Sequence, residues 1–319
     1  MAQATTISVI ISAYRQPETL AWLLQSLSCQ VFCHPWELLV CDDGTAGGLL
    51  PVLQSHFQPH PPRPEVRYLW QPDLGFRLGR SRNNAIRCGR GDRLVFLDGD
   101  MLVGPRFLQA HYEAHADGET IVCSGRRCLV VPPSLIAGPA PLFDIAWAFS
   151  APAESREQEE WARSSYPWMA CIGCNFSVPR SGHVSFEEQL VGWGSEDREL
   201  AVRLHCYHAL PIRYCAEAES VHVSIFGDVA SNNPIRSNDS MEIERFVRNK
   251  LLFSSLHPSV DITPALAPLR CCFFDPASNT WFSRRPPEGR DVATAVRELT
   301  QWLEWSVSRK QLPTSSSSS

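Results

Sequence analysis

The chain has 319 residues, of which 44% are hydrophobic, so it can bury the core of one large α/β domain or of two smaller ones. Its net charge of -5 is unlike the concentrated basic surface of nucleic-acid-binding proteins, which excludes nucleic acid as the expected partner. No basic segment opens the chain and its first apolar run is too short for a signal peptide or a membrane span, so we expect a cytoplasmic protein without a transmembrane segment.

Strands alternate with helices in the first hundred residues. The predicted strands are residues 7–11, 38–41, 66–70 and 93–97, and the predicted helices are residues 17–27 and 79–88. Pro17 favours a first helical turn, where its missing N–H would have no partner in any case. This order predicts an α/β fold with a mostly parallel sheet, in which ligands bind beyond the carboxyl ends of the strands.

The second half opens with a long segment, residues 132–166, rich in Pro and Ala and then in Glu, Gln and Arg. Such a segment is typical of a lid or binding loop with a short helix, or of disorder. Beyond it we predict a strand at residues 175–178 and helices at residues 196–206, 239–253 and 291–308. The serine run at residues 315–319 predicts a disordered tail.

Twelve cysteines occur in a chain without a secretory signal, so we interpret most of them as small buried apolar residues rather than disulfides. Cys171 and Cys174 form the one C-x-x-C pair. A zinc site would need a second pair at similar spacing, so this pair does not indicate zinc.

Acidic residues follow two of the predicted strands. Asp98 and Asp100, with one glycine between them, come after residues 93–97, and Asp42 and Asp43 come after residues 38–41. Both clusters would lie at the same edge of a parallel sheet. Hard oxygen ligands there suit Mg²⁺ or Mn²⁺, which complete their shells with water and substrate phosphates. Taken singly, each cluster is equally typical of a solvated turn.

Four segments in order resemble the inverting family-2 glycosyltransferases of the A-type fold. They are residues 9–14 (VIISAY), residues 39–45 (LVCDDGT), Gly75-Phe76-Arg77 with Arg82 and Asn83, and residues 95–100 (VFLDGD). Residues 192–197 (GWGSED) resemble the Gly-Trp-Gly-Gly-Glu-Asp segment of β-1,4-galactosyltransferases and bacterial chondroitin-type polymerases. Ser195 replaces a glycine of that segment, and Arg198 follows where some galactosyltransferases carry further acids, which leaves the donor and acceptor open.

The resemblance implies a Rossmann-like, mostly parallel sheet flanked by helices. Residues 1–130 would be the nucleotide-sugar-binding half and residues 131–225 the acceptor-binding and catalytic half of the same domain. Residues 226–319 would be a helical C-terminal extension.

The resemblance also implies a nucleotide site. Ser12, Tyr14 and one or both of Asp42 and Asp43 would hold the uridine. The segment that lines the nucleotide pocket would include Arg77, Arg82 and Asn83. An arginine there can pair with a phosphate, although a surface ion pair is the alternative for Arg82.

A divalent metal, Mn²⁺ or Mg²⁺, is implied beside the nucleotide. Asp100 would bind it directly, and Asp98 would contact the ribose or bind the metal through water. His222 matches the later histidine that completes the metal shell in many transferases of this fold, although a lone histidine is more often structural.

The catalytic base falls at Asp197 in this resemblance, with Glu196 as an acceptor or sugar contact. The alternative is that both acids only favour the first turn of a helix, where carboxylates cap amide groups. Trp193 would stack on a sugar face or, equally, pack in the core.

These implications predict an inverting, metal-dependent transfer of a hexose or N-acetylhexosamine from a nucleotide-sugar donor, preferably a UDP-sugar. The acceptor would be a hydroxyl of a glycan, peptide or small molecule. One alternative is a retaining enzyme like the polypeptide N-acetylgalactosaminyltransferases, whose product has the other anomeric configuration. A second is a noncatalytic nucleotide-sugar-binding protein, which would bind UDP without turnover.

Overall fold

The computed structural model describes residues 6–56, 64–116, 118–125, 127–131, 157–225, 235 and 238–310. Its contacts divide the chain into two compact units, one of residues 1–191 with 196–229 and the other of residues 192–195 with 230–319. Most of the predicted loop, residues 132–156, and the predicted serine tail lie outside the described residues.

The first unit contains ten strands and six α-helices among its described residues. The strands are β1 (Ile7–Ala13), β2 (Trp36–Asp42), β3 (Glu65–Trp70), β4 (Arg93–Asp98), β5 (Met101–Val103), β6 (Ile121–Cys123), β7 (Arg127–Val131), β8 (Asn175–Pro179), β9 (Ile212–Tyr214) and β10 (Ser220–Ile225). The helices are α1 (Pro17–Ser28), α2 (Leu50–His56), α3 (Leu78–Cys88), α4 (Phe107–Ala114), α5 (Glu157–Ala162) and α6 (Glu196–Val202). A 3₁₀ helix covers Pro167–Ala170, and a π-helical turn, Arg203–Tyr207, continues α6.

The main sheet has seven strands in the order β3-β2-β1-β4-β8-β6-β9. β3, β2, β1 and β4 are parallel, whereas β8 is antiparallel to both of its neighbours. A smaller sheet has the order β5-β10-β7. The mostly parallel α/β sheet is thus confirmed. The strands β5, β6 and β9 were not predicted because three residues are too few for a periodic pattern.

The packing of α1 against β1 explains the pattern of apolar residues from which both elements were predicted. Alternate residues of β1, such as Val9 and Ile11, share a core cluster with Leu20 and Leu24 of α1, and none of the four reaches solvent. Strand residues two apart and helix residues four apart each lie on one face, so both elements bury an apolar face.

A buried carboxylate lies at the amino-terminal end of β2. Glu37, 1% exposed, accepts a hydrogen bond from Ser8 Oγ at 2.6 Å, and pairs with Arg67 of β3. Burial raises the pKa of Glu37, but the hydrogen bonds from Ser8 and the Arg90 backbone and the charge of Arg67 lower it further, so the net pKa lies below its usual range. The Glu37 cluster, which consists of Ser8, Glu37, Arg67 and Arg90, joins four chain segments at the end of the sheet opposite to the acidic strand ends.

The second unit contains α7 (Ser240–Leu256), α8 (Thr263–Leu266), a 3₁₀ helix at Ala267–Cys271, the hairpin of β11 (Cys272–Asp275) and β12 (Thr280–Ser283), and α9 (Val292–Lys310). The carboxylate of Asp239 caps α7 by accepting the backbone N–H groups of Met241 and Glu242. The two long helices were predicted, whereas the hairpin is an addition to the expected helical extension. Within the described residues, no helix has the length and apolar character needed to cross a bilayer.

All twelve cysteines are free thiols, and six of them are buried. The absence of disulfides agrees with the interpretation from the sequence, but half of the cysteines, rather than most, are buried. Cys174 contributes to the main core cluster, and Cys171 has no exposed surface.

Candidate active site

The carboxyl ends of β1, β2 and β4 lie side by side. Ser12 of β1 is paired with Asp98 of β4, and Ala13 is paired with Asp42 of β2. The Gly99 N–H also donates to the carbonyl of Ser12 at 2.8 Å. The parallel order therefore brings both acidic clusters to one edge of the sheet, where ligands of such sheets bind.

Arg82 of α3 connects this edge to two other parts of the chain. Its guanidinium has no exposed surface and donates to Ser12 Oγ at 3.0 Å, to Asp98 Oδ1 at 2.9 Å and to the Gly173 carbonyl at 3.0 Å. Glu196 Oε1 lies 3.8 Å from Arg82 Nη1. This burial contradicts the alternative of a surface ion pair. The hydrogen bonds of Arg82 to Ser12, Asp98 and Gly173 are those of a positioning residue.

Asp42 and Asp43 differ in what they contact. Asp42 is fully buried and accepts the Gly44 N–H at 3.1 Å, the Thr45 N–H at 2.8 Å and the hydroxyl of Tyr68. These bonds shape the loop after β2, so Asp42 does not present its carboxylate to a ligand. Gly44 has a φ of +104°, and a Cβ there would lie 2.4 Å from the Asp73 backbone, so this turn requires glycine.

Asp43 accepts the Arg77 N–H at 2.7 Å and the side-chain amide of Gln71. It is 7% exposed, and burial raises its pKa above the usual range, although both hydrogen bonds oppose this effect. Asp43 is thus the acid of this pair that reaches the surface of the site, and it also holds the start of α3.

Tyr14 and Arg77 lie on the rim of this edge. Tyr14 Oη donates to Asp73 Oδ2 at 2.8 Å, and burial together with this bond raises the pKa of Tyr14. The guanidinium of Arg15 pairs with the same carboxylate at 3.0 Å and stacks over the Tyr14 ring. The guanidinium of Arg77 donates to the carbonyl of Pro72. The loop at residues 72–75 therefore supports both predicted nucleotide contacts.

Asn83 uses its side chain to hold a neighbouring segment of the chain. Its carbonyl oxygen accepts the Phe186 N–H at 2.7 Å, and its amide nitrogen donates to the Phe186 carbonyl at 2.9 Å and to Glu188 Oε1 at 3.0 Å. The residue is 5% exposed. Asn83 thus holds the segment around Phe186 and uses its hydrogen-bonding groups there, so a nucleotide contact is not supported.

Two of the three predicted metal ligands come together. His222 Nε2 lies 3.3 Å from Asp100 Oδ2, and Asp100 Oδ1 is buried with no hydrogen-bond partner among the described residues. Asp98 Oδ1 is instead directed to Arg82. No three His, Cys, Asp or Glu side chains in the described part of the chain are placed to hold an ion by themselves. Asp100 and His222 nevertheless fit an ion that keeps water and phosphate oxygens in its shell.

Glu196 and Asp197 begin α6 and differ in environment. Asp197 Oδ2 accepts the Gly173 N–H at 2.7 Å, and Oδ1 accepts the Arg198 N–H at 2.8 Å. Glu196 is 7% exposed, and its Oε2 has no hydrogen-bond partner among the described residues. Burial and the nearby Asp197 charge raise the pKa of Glu196 to about 7, although Arg82 opposes this shift. The capping alternative is thus observed for Asp197, and capping is compatible with catalysis.

Trp193 belongs to the second unit, where its ring packs against Phe246 with a centroid separation of 5.8 Å. Its neighbour Gly194 accepts a hydrogen bond from Asn249 of the same unit. These contacts correspond to the packing alternative for Trp193.

The most important residue that the sequence did not predict is Gly173. Its N–H contacts Asp197 and its carbonyl contacts Arg82, yet these partners are 24 and 91 residues away in the chain. The only signal was the C-x-x-C pair around it, which indicated burial rather than a site. No local pattern reports such long-range backbone contacts.

The chain is similar to known glycosyltransferases in sequence and in fold. Residues 8–140 match the family model Glycosyl transferase family 2. Validoxylamine A glucosyltransferase of Streptomyces hygroscopicus subsp. jinggangensis is 27% identical over 277 residues, which cover 80% of this chain and 61% of that protein. The chondroitin synthase of Escherichia coli is 22% identical over 228 residues, which cover 63% of this chain and 33% of that protein. The chain therefore spans less than two thirds of the length of either relative.

Among solved structures, the fold is similar to that of S. aureus TarS 1-349 in complex with UDP-GlcNAc. The TM-score is 0.53 at 17% sequence identity, and the match covers 81% of this chain and 68% of TarS 1-349. Identity this low supports a shared fold and no more. The family match over residues 8–140 includes the strand ends and Arg82, so this part of the chain is similar to the family-2 glycosyltransferases, and the fold is similar to that of TarS.

Proposed function

We propose that the protein transfers a hexose or N-acetylhexosamine from a UDP-sugar to an acceptor hydroxyl, with inversion at the anomeric carbon and with Asp197 as the base. The observation that carries this proposal is the position of Arg82. One buried guanidinium donates to Asp98 at the donor edge and lies beside Glu196, the neighbour of Asp197. Donor-binding and proton-accepting groups are thereby held in one network.

The nucleotide would bind beyond the ends of β1 and β2. Tyr14 and Asp43 would contact the uridine, since a carboxylate can accept a base N–H or a ribose hydroxyl. Ser12 and Asp42 would support them, because their side chains contact Arg82 and the loop after β2. Arg77 remains the candidate for a phosphate contact at the rim.

Asp100 and His222 would hold a Mn²⁺ or Mg²⁺ ion. Such an ion would neutralise the negative charge that develops on the departing diphosphate. The unpartnered buried oxygen of Asp100 supports this role, since a buried carboxylate oxygen without a partner is costly unless a ligand satisfies it.

The transfer itself needs one proton acceptor. The acceptor oxygen forms a bond to the anomeric carbon, the bond from that carbon to the diphosphate oxygen breaks, and the hydroxyl proton passes to Asp197. Attack from the face opposite the leaving group gives inversion. The backbone N–H groups of Gly173 and Arg198 fix the orientation of the Asp197 carboxylate. Glu196, largely protonated below pH 7, would donate a hydrogen bond to a sugar or acceptor oxygen.

Nucleotide release and product configuration test the proposal. We would incubate the protein with Mn²⁺ or Mg²⁺ and a panel of UDP-, GDP- and dTDP-sugars, each with glycan, peptide and small-molecule acceptors. UDP-glucose with validoxylamine A as the acceptor and UDP-GlcNAc as a second donor come first, because one relative is named validoxylamine A glucosyltransferase and the TarS structure contains UDP-GlcNAc. We expect UDP release and a product of inverted configuration by NMR. Retention would indicate the retaining alternative, and UDP binding without release would indicate a noncatalytic protein.

A further inference from the structure

We infer that Gly173 is a positioning residue, whose backbone holds Asp197 and Arg82 in the geometry that transfer requires. This inference rests on the proposed function of Asp197. The Gly173 N–H donates to Asp197 Oδ2 at 2.7 Å, and the Gly173 carbonyl accepts from Arg82 Nη2 at 3.0 Å. The same Nη2 donates to Asp98 Oδ1 at 2.9 Å. One residue thus lies between the donor edge and the base.

The close approach of Arg82 explains why this residue is glycine. A Cβ on Gly173 would lie 2.5 Å from Arg82 Nη2, 2.7 Å from Nη1 and 3.0 Å from Cζ. Heavy atoms do not approach this closely without displacement. The guanidinium has no exposed surface and donates to Ser12, Asp98 and Gly173, so it cannot move aside without losing these bonds.

The turn itself is held on both sides. Cys171 and Cys174 are buried, the Cys171 N–H donates to the Trp168 carbonyl at 3.2 Å, and the Asn175 N–H donates to the Ile172 carbonyl at 3.1 Å. A methyl group at position 173 would therefore displace Arg82 rather than the turn. Gly173 is not among the residues of positive φ, so alanine adds a steric contact without left-handed backbone strain.

Gly173→Ala tests the inference, with Gly182→Ala as its matched control. Gly182 lies in the same unit, also lacks a positive φ, and has nothing within 4 Å of a built Cβ. For Gly173→Ala we expect kcat to fall about 10²-fold, as for a misplaced catalytic group, with donor KM within a few-fold of wild type. Gly182→Ala should leave both parameters and the melting temperature unchanged.

A double-mutant cycle with Arg82→Lys separates positioning from folding. Lysine lacks the two terminal nitrogens that the methyl group would meet. If Gly173 acts through Arg82, then Gly173→Ala/Arg82→Lys should be no slower and no less stable than Arg82→Lys alone. The inference would be overturned if the losses in kcat of the two single variants added up in the double variant. It would also be overturned if Gly173→Ala failed to fold and the Arg82→Lys change did not restore folding.

The activities of the wild type and of the two alanine variants also distinguish a failure of the positioning role from a failure of the proposed function. If the wild type turns over no nucleotide-sugar of the panel, the proposed function is wrong, and the positioning role of Gly173 in that reaction is wrong as well. If the wild type is active and Gly173→Ala matches Gly182→Ala in kcat, only the positioning role fails. A rise in donor KM with unchanged kcat would likewise contradict it, because uniform binding rather than the reacting geometry would have changed.

Discussion

The imidazole of His222 lies 3.3 Å from the carboxylate of Asp100, although 122 residues separate them in the chain. The strand β10 makes this possible, because its Val223 N–H donates to the Asp100 carbonyl at 2.8 Å. A carboxylate and an imidazole side by side are a pair of ligands suited to Mn²⁺.

The first prediction concerns this pair. Removing divalent metal with EDTA should abolish turnover, and Mn²⁺ or Mg²⁺ should restore it. Asp100→Asn should lose the metal-dependent part of UDP affinity, measured by calorimetry with and without Mn²⁺, because it replaces a charged ligand with a neutral one. Asp275→Asn, at the last residue of β11, is the control and should bind UDP as the wild type does. Equal UDP affinity of Asp100→Asn and wild type in Mn²⁺ would show that Asp100 is not a ligand.

The second prediction separates catalysis from capping at Asp197. Asp197→Asn should reduce kcat by about 10²–10⁴-fold, the usual contribution of a positioned base, while UDP affinity is retained. Because an amide has one accepting oxygen, one of the two backbone bonds of Asp197 is lost, which costs about 0.5–1.5 kcal/mol of stability. Glu199→Gln, in the same helix but paired with Arg203, is the control for a carboxylate-to-amide change. If the Asp197→Asn variant folds and keeps a near-normal kcat, Asp197 is not the base, and Glu196 becomes the candidate.

The third prediction concerns Asn83, which holds the segment at Phe186 rather than the nucleotide. Asn83→Ala leaves the buried N–H and C=O of Phe186 without their partner, and we expect a loss of about 1–3 kcal/mol in the free energy of unfolding. Donor KM, measured at a temperature where the variant is folded, should change less than two-fold. A large rise in donor KM without a loss of stability would contradict this prediction and indicate that Asn83 contacts the nucleotide.

The fourth prediction concerns a buried histidine pair. Burial lowers the pKa of His111 to about 4 and that of His115 to about 3, and both rings share the hydroxyl of Ser177 at 2.8 Å. Between these values and the ordinary pKa of about 6.5, the unfolded chain binds protons that the folded chain does not. The free energy of unfolding should therefore fall as the pH is lowered from about 6.5 to about 4 and below.

Denaturant unfolding between pH 4 and pH 8 measures this slope. His115→Gln keeps a side chain that can bond Ser177 but cannot be protonated, so its stability should depend less on pH below 6.5. His183→Gln, an exposed histidine, should keep the slope of the wild type. An unchanged slope in His115→Gln would mean that this pair does not govern acid sensitivity.

The sequence predicts the elements whose burial is periodic. β1 was recognised as a continuous apolar run, which is buried on both faces, and α1 because it buries one face. α7 was recognised because its apolar residues repeat at helical spacing behind the cap at Asp239. The order of parallel strands then places Ser12 beside Asp98 without any knowledge of side-chain contacts.

The roles of individual site residues depend on contacts that the sequence does not encode locally. Asp42 and Asp43 are adjacent, yet the hydroxyl of Tyr68 on the next strand helps to bury the former. Likewise, the resemblance placed Arg82 in the segment that lines the nucleotide pocket, whereas its contact with Gly173, 91 residues away in the chain, leaves no local pattern in the sequence. Residue types and strand order set the edge at which the site lies, whereas long-range packing decides which side chains face the ligand.

The Glu37 cluster has a consequence for the accuracy of the site. Moving β2 by one residue relative to its neighbours would take Glu37 away from Ser8 and Arg67 and leave a buried charge uncompensated. Asp42 follows Glu37 by five positions along β2, or about 17 Å at the rise of a strand. The ion pairs of Glu37 at one end of β2 therefore fix the register that places Asp42 and Asp43 at the other end, beyond the reach of any direct contact with residue 37.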